Sequence, residues 1–159
     1  MGSRVPVDPI VTSVIQHRLL AIVEEMGEAM LRTSYSQILN SSRDFSTAIC
    51  GLDGRLIAQA EHVPIHVGAL PFAAKAVTEF FGDDIHEGDV FLLNDPYHGG
   101  NHLPDLTAFV PVFKGGAPRF WSDQPGASER YRRRDPWRLQ RRRHRHLAGR
   151  HPYHPVAAL

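Results

Sequence analysis

The chain has 159 residues, a length that suits one domain with a buried core. Its formal net charge of +1 hides an uneven distribution, because residues 1–121 contain 8 basic and 14 acidic side chains, whereas residues 122–159 contain 10 arginines and 3 acidic side chains. No segment approaches the ~20 apolar residues of a membrane helix, and the first residues lack the apolar stretch of a secretory signal. We therefore expect a cytoplasmic protein without a membrane partner.

The first predicted element is an amphipathic helix over residues 9–34. Asp8 can accept hydrogen bonds from free backbone N–H groups of a first turn, and Pro9 suits the first helical position. Apolar residues then recur at spacings of three and four, the period of one helix face: Val11, Ile15, Leu19, Ile22, Met26 and Met30. This pattern predicts a helix that packs one face against a core.

A β-hairpin is predicted next, with strands over residues 45–50 and 55–60. Asp53-Gly54 lies between them and supplies the positive φ angles that a tight hairpin turn needs. Cys50 is the only cysteine, which excludes an internal disulfide, and its apolar neighbours favour a buried, unreactive thiol over a nucleophile.

The rest of the first 121 residues predicts a loop, a second helix and further strands. Residues 61–68 read as the loop and 69–81 as the helix, ended by Gly82. Strands are predicted over 90–94 and 106–113, with Pro111 favouring a sheet edge. The predicted fold class is α/β, with α+β left open, over a domain of residues 1–121, and residues 122–159 are predicted to form a disordered, arginine-rich tail.

The segment from Asn94 to Asp105 carries the residue types used in metal and active sites. It holds two histidines, two aspartates, two glycines and two prolines in twelve positions. Imidazole and carboxylate groups bind divalent transition metals, and the His-x-x-Asp spacing of His102 and Asp105 can direct both at one ion. The alternative is a polar turn in which Asp95 and Asp105 cap backbone amides and the histidines are solvated.

Four further residues are candidates for the lining of a pocket. Asp95 and His98 lie in the same segment, and His62 and His66 lie in the predicted loop before it. The four-residue spacing of the latter pair would align them only on a helix, which Pro64 argues against. A hydrogen-bonding or substrate-lining role is therefore as compatible with His62 and His66 as metal binding.

Several distinct motifs follow one another from about residue 7 to Trp121. They are Asp8-Pro-Ile, Glu25-Met-Gly, Arg43-Asp-Phe-Ser, Asp53-Gly-Arg-Leu-Ile-Ala-Gln, Glu61-His-Val-Pro-Ile-His-Val-Gly, Gly88-Asp-Val and Asn94-Asp-Pro-Tyr-His-Gly-Gly-Asn-His-Leu-Pro-Asp. Together they resemble the N-terminus of the hydantoinase B/oxoprolinase family, and the resemblance is specific because the motifs are distinct and correctly ordered. The family includes N-methylhydantoinase B subunits, part of 5-oxoprolinase and the acetone carboxylase alpha subunit.

The resemblance implies a cytoplasmic, metal-binding subunit of an ATP-dependent enzyme that opens cyclic amides such as hydantoins or 5-oxoproline. A hydantoinase A-type partner of actin-like ATPase fold would use the ATP, since this chain shows no nucleotide-binding, phosphate-cradling motif. By the same resemblance His102 and Asp105 align with ligands of a divalent, manganese-like metal, whereas His98 falls at a less fixed place. Catalytic residues remain unassigned, and an acetone carboxylase-type alpha subunit is the alternative enzyme.

The arginine-rich tail suggests a shifted reading frame. Family members continue beyond Trp121 with Ser-x-x-x-Ala-His-Gln-x-Asp-Ile-Gly-Gly, and codons chosen for residues 123–140, re-read from their second base, restore that pattern. We hypothesise a small insertion or deletion near the codon of Ser122. The shifted frame places a histidine at about position 127, the family's third metal position, where this chain has Ala127. We therefore expect a weak, incomplete metal site and a truncated subunit that is inactive alone.

Two non-catalytic alternatives keep the tail as a functional segment. Arginine runs at 132–134 and 141–143, interleaved with aromatic side chains, are compatible with binding to nucleic acid or another polyanion, although any arginine-rich tail binds polyanions to some extent. A subunit that only docks on an A-type partner is the other alternative. Nucleic acid is the less favoured partner.

Overall fold

The computed structural model describes residues 8–34, 37–60, 64–102, 105–127 and 139–143. Three helices and six strands follow one another in these ranges, with a short 3-10 turn at Pro96–His98. In chain order they are α1 (Pro9–Thr33), α2 (Gln37–Ser42), β1 (Thr47–Gly51), β2 (Leu56–Ala60), α3 (Pro64–Phe81), β3 (Asp89–Leu93), β4 (Asp105–Lys114), β5 (Ala117–Ala127) and β6 (Leu139–Arg143). None of the helices in these ranges is long and apolar enough to cross a membrane.

The strands form one sheet in the order β2-β1-β5-β4-β3-β6. Each pairing in it is antiparallel. Antiparallel pairing is typical of the α+β arrangement that the sequence left open, because the parallel strands of α/β folds need helical crossovers. The centre of the sheet is the long β4–β5 hairpin, which turns at Gly115 and Gly116, both with positive φ.

One face of the sheet packs against α3. The buried core there includes Leu70 and Val77 from the helix and Phe91, Phe109 and Trp121 from the strands. The edges of both phenylalanine rings meet the Trp121 ring at centroid distances of 5.3 and 6.1 Å. The Nε1–H group of this tryptophan donates a 2.9 Å hydrogen bond to Thr78 Oγ1 on α3. Aromatic packing and this bond fix the helix on the sheet.

The opposite face of β1 and β2 packs against the C-terminal half of α1. Val23 and Ile49 are buried there, and the Thr47 hydroxyl donates a 2.7 Å hydrogen bond to the Val23 carbonyl. The predicted start of this helix is confirmed, since Asp8 accepts from the Ile10 N–H group. The predicted packing of the apolar stripe is confirmed only in part. Leu19, Ile22 and Met26 pack against the sheet, whereas Val11 near the start of the helix is half exposed.

The predicted hairpin of β1 and β2 is confirmed. The Asp53 carboxylate accepts from the Arg55 backbone N–H group at 3.0 Å and from its guanidinium at 2.9 Å, and Gly54 has φ +81°. The turn lies against α3 so closely that a Cβ atom at Gly54 would be 2.3 Å from the Pro71 carbonyl oxygen. Glycine is required here for both its backbone angle and its size.

The predicted loop over residues 61–68 is wrong from Pro64 onward, because α3 begins at Pro64. Proline at the first helical position loses nothing, since the first N–H groups of a helix have no partner within it. His66 consequently lies in the first turn of α3, whereas His62 lies outside the described residues. Pro64 therefore marks the beginning of the second helix.

Pro111 lies where the sequence favoured it, at a locally open part of the sheet. The pairing between β3 and β4 covers Thr107 to Phe109 only, whereas β4 pairs with β5 over its full length. Pro111 thus lies beyond the β3 partner. A residue without a backbone N–H group is tolerated at such a position.

The structure differs from the expected boundary at residue 121 in two places. The central strand β5 runs on through Ala127, with Asp123 buried in it, and residues 139–143 pair with β3 as β6. Backbone hydrogen bonds at an open strand edge accept almost any sequence, which explains how a strand can form in the arginine-rich part. Residues 128–138 and 144–159 of the predicted tail lie outside the described residues.

Candidate functional site

The candidate site lies where β4 begins, next to the first turn of α3. Its centre is Asp105, the first residue of β4, which is 2% exposed. Asn101 donates a 2.8 Å hydrogen bond from Nδ2 to Asp105 Oδ2, and His102 Nδ1 lies 3.2 Å from the same oxygen. The predicted pair of His102 and Asp105 is therefore brought together, and Asn101 orients the carboxylate.

His66 reaches the same carboxylate from the helix. Its ring is buried, and Nε2 lies 3.4 Å from Asp105 Oδ2 and 3.7 Å from Asp44 Oδ1. The helical start at Pro64 places this imidazole next to the start of β4. Thus His66 joins the two candidate metal ligands.

Asp44 is the residue that sequence reasoning missed. It lies between α2 and β1 and follows Arg43, whose φ of +49° is unusual for a residue with a side chain. Such a backbone angle persists only where the surrounding structure holds it, and it is frequent near functional sites. The Arg43-Asp-Phe-Ser motif was the available signal, but it pointed to the family and not to a contact with His66.

Two atoms of this cluster are buried without a hydrogen-bond partner among the described residues: Asp105 Oδ1 and His66 Nδ1. Buried polar atoms of native proteins are nearly always satisfied, so these two are compatible with a missing ligand. Carboxylate oxygen and imidazole nitrogen also suit a divalent transition metal. Within the described ranges, however, no three His, Cys, Asp or Glu side chains are arranged as a metal site. Instead, His66 Nε2 and His102 Nδ1 both lie within 3.4 Å of the same carboxylate oxygen, Asp105 Oδ2.

The strand register adds a position to this site. Asp105 is the direct partner of Ala127 in the antiparallel pairing of β4 and β5. Directly opposed residues on antiparallel strands project from the same face, with Cβ atoms about 5 Å apart. The register therefore places position 127 directly opposite Asp105 in the sheet.

Asp95 and His98 form a pair of their own in the 3-10 turn. Asp95 Oδ1 accepts from the Tyr97 N–H group at 2.9 Å, and its Oδ2 lies 2.7 Å from His98 Nδ1. Gly99 ends the turn with φ +89°, and a Cβ atom there would be 2.6 Å from the Ala73 backbone nitrogen on α3. Asp95 thus caps a backbone N–H group, as the polar-turn alternative predicted. It also contacts the imidazole of His98, which is exposed to solvent.

A second buried carboxylate lies within the sheet. Asp123 is fully buried on β5, and burial raises its pKa to about 7. The Cys50 thiol faces it from β1, and burial followed by the charge of Asp123 raises the pKa of that thiol well above its ordinary value. Cys50 is therefore a buried, unreactive thiol, as its sequence context indicated.

The sequence motifs and the fold agree with a comparison against known families. The hydantoinase B/oxoprolinase family matches residues 8–126, and the chain belongs to this family. It is 46% identical over 109 residues to 5-oxoprolinase of Dictyostelium discoideum, and 40% identical over 116 residues to caprolactamase subunit beta of Pseudomonas jessenii. These matches cover 69% and 73% of this chain but only 9% and 20% of the two relatives.

Two solved structures share the fold. The crystal structure of the ATP-dependent caprolactamase from Pseudomonas jessenii superposes with a TM-score of 0.71 at 38% identity, over 77% of this chain and 21% of that one. A nucleotide-free acetone carboxylase superposes with a TM-score of 0.69 at 24% identity, over 76% of this chain and 16% of that one. At this identity the second similarity concerns the fold alone.

Proposed function

We propose that this chain is the N-terminal part of the ring-opening subunit of an ATP-dependent cyclic amide hydrolase. The observation that carries the proposal is the buried Asp105 carboxylate. His66 and His102 approach it, and its Oδ1 has no hydrogen-bond partner in the part of the chain that the structure describes. The substrate would be a lactam, hydantoin or 5-oxoproline ring. Sequence identities of 40–46% to a caprolactamase subunit and a 5-oxoprolinase support a hydrolase. The acetone carboxylase is only 24% identical in sequence, so its similarity supports the fold alone.

His102 and Asp105 would hold a divalent metal, with Asp44 as an additional carboxylate beside His66. When bound, such an ion supplies Lewis acidity toward a carbonyl oxygen. Asn101 keeps Asp105 in place through its 2.8 Å hydrogen bond, and His66 contacts both carboxylates from within the helix. Fixed second partners of this kind orient ligands and preserve metal affinity.

ATP would act through a separate hydantoinase A-type subunit. The sequence of this chain lacks a phosphate-binding glycine motif. The related caprolactamase is an ATP-dependent enzyme, and the relative that this chain matches is its subunit beta. Ala127 leaves the proposed site one ligand short of the family pattern. The chain alone is therefore proposed to be inactive.

A chimera tests the proposal. Residues 8–127 would replace the matched segment of the Pseudomonas jessenii beta subunit, once unchanged and once with Ala127→His, and each would be purified with the other subunit of that enzyme. We expect ATP-dependent caprolactam hydrolysis from the Ala127→His chimera, and activity at least ~100-fold lower from the unchanged one.

Carboxylate substitutions in the active chimera provide the control. Asp105→Asn should abolish hydrolysis, whereas Asp53→Asn, at the exposed hairpin turn, should leave it intact. Circular dichroism and co-purification would show that each chimera is folded and assembled. A folded, assembled Ala127→His chimera without activity would overturn the proposal.

A further inference from the structure

Position 123 is a buried site with apolar neighbours that holds a carboxylate. In the sheet Asp123 is the direct partner of Ala48 on β1 and of Phe109 on β4, and it is fully buried. The Cys50 thiol approaches from β1 but is only a weak donor, and neither carboxylate oxygen has a regular hydrogen bond among the described residues. The carboxylate is therefore desolvated without compensation.

The burial pattern of β5 shows which residue type suits this position. Trp121, Asp123 and Pro125 are buried, whereas Ser122 and Gln124 between them are partly exposed. This is the alternation of a strand with one face in the core, and a core-facing position between β1 and β4 favours an apolar or β-branched side chain. Asp123 departs from the pattern in a strand that otherwise follows it.

The genetic code limits what a shifted frame can encode there. Aspartate codons are GAT and GAC, and the codon of Gln124 begins with C. Reading from the second base of codon 123 therefore gives ATC or ACC, which encode isoleucine or threonine and nothing else. Both are β-branched, the type that strands favour. This restriction holds whatever codons the gene uses.

We propose that codon 123 is the first codon of this chain read out of its original frame, and that the fold is built for a β-branched residue at that position. The packing around Asp123 and the codon restriction support this independently. Neither depends on the proposed ring-opening activity, so each proposal can fail without the other.

The nucleotide sequence provides the first test. The gene would be sequenced from independently prepared genomic DNA, and the frame that starts at the second base of codon 123 would be followed. We expect it to stay open throughout the region that encodes residues 123–159. A stop codon in that frame within this region would overturn the proposal.

Unfolding of the protein provides the second test, with Asp123→Ile and Asp123→Thr in the full chain. We expect Asp123→Ile to raise the midpoint of urea unfolding at pH 8 and Asp123→Thr to raise it less. The matched control is Gln124→Ile, which adds the same side chain to a partly exposed position of the same strand.

The outcome is decided by the difference between these variants. If the unchanged chain is already unfolded at pH 8, Asp123→Ile must fold for the proposal to stand. An Asp123→Ile midpoint no higher than that of the unchanged chain, or an equal gain from Gln124→Ile, would contradict it.

Discussion

Asp105 and Ala127 face each other across the antiparallel ladder of β4 and β5, at the end of the sheet where His66 and His102 meet the same carboxylate. The shifted frame permits a histidine at position 127, the register partner of Asp105. Position 127, where the family resemblance implies a third metal ligand, thus lies directly opposite Asp105 in the sheet. This relationship gives the proposed metal site a direct test.

Ala127→His should raise the affinity for a divalent metal at least tenfold, about 1.4 kcal/mol. An additional imidazole next to Asp105 brings the protein ligands closer to the three that open metal sites use. Isothermal titration with Mn²⁺ and Zn²⁺, and metal content after dialysis, would measure the change in the full chain.

The matched control for this prediction is Ala117→His at the other end of β5. Position 117 pairs with Lys114, far along the strand from Asp105. Equal gains in affinity for both variants would show that the added histidine binds metal without the Asp105 cluster.

Stability should fall as pH rises from about 4 to above 7, because of Asp123. Its pKa is raised to about 7 from an ordinary value of 3.8, so the folded state retains a proton that the unfolded state releases over this range. The stability present below pH 4 is then lost as pH rises through 7, on the order of 1.4 kcal/mol for each unit of raised pKa. Urea unfolding at a series of pH values would measure the slope.

Asp123→Asn separates the contribution of this carboxyl group from that of every other titratable group. Asparagine keeps the size of the side chain and removes its ionisation. Cys50 is the titratable group that faces Asp123 from β1, and its raised pKa keeps it neutral throughout. An unchanged slope in Asp123→Asn would assign the pH dependence to other groups.

Several regular elements could be predicted because local signals are sufficient for them, whereas α2, β5 and β6 were not predicted. Asp8-Pro9 marks the start of α1, Asp53-Gly54 marks the hairpin, and the apolar runs give β3 and β4. Pro64 was misread because proline excludes a helix interior but suits its first position. That one difference moved His66 from a loop into the first turn of α3.

The site could be predicted only in part because its members come from separate elements. His102 and Asp105 are three residues apart, so their pairing is visible in the sequence. The contact of His66 with Asp44 and Asp105 depends on how α3 and β1 are packed, which spacing does not reveal. Strand pairing likewise brings position 127 beside Asp105.

Thr78→Val should lower the free energy of unfolding by about 1–3 kcal/mol. The substitution preserves shape but removes the oxygen that accepts from Trp121 Nε1, and so leaves a buried N–H group without a partner. The Thr78 hydroxyl donates a 3.0 Å hydrogen bond to the Ala74 carbonyl of its own helix. Thr33→Val is the matched control, since Thr33 likewise donates to a helix carbonyl four residues earlier but is exposed. Chemical denaturation of both variants would measure the difference, and similar losses would exclude the tryptophan hydrogen bond as the cause.

Gly54→Ala should destabilise the chain more than Gly88→Ala, although both glycines have nearly the same positive φ, +81° and +85°. Both variants carry the cost of a left-handed backbone, about 1–2 kcal/mol. Only the Gly54 Cβ atom would collide with backbone, at 2.3 Å from the Pro71 carbonyl oxygen, whereas nothing lies within 4 Å at Gly88. The hairpin turn must then move away from α3. This movement would also weaken the packing of β1 against the helix. Thermal unfolding of the two variants measures the difference, and equal midpoints would mean that the hairpin turn does not rest on α3.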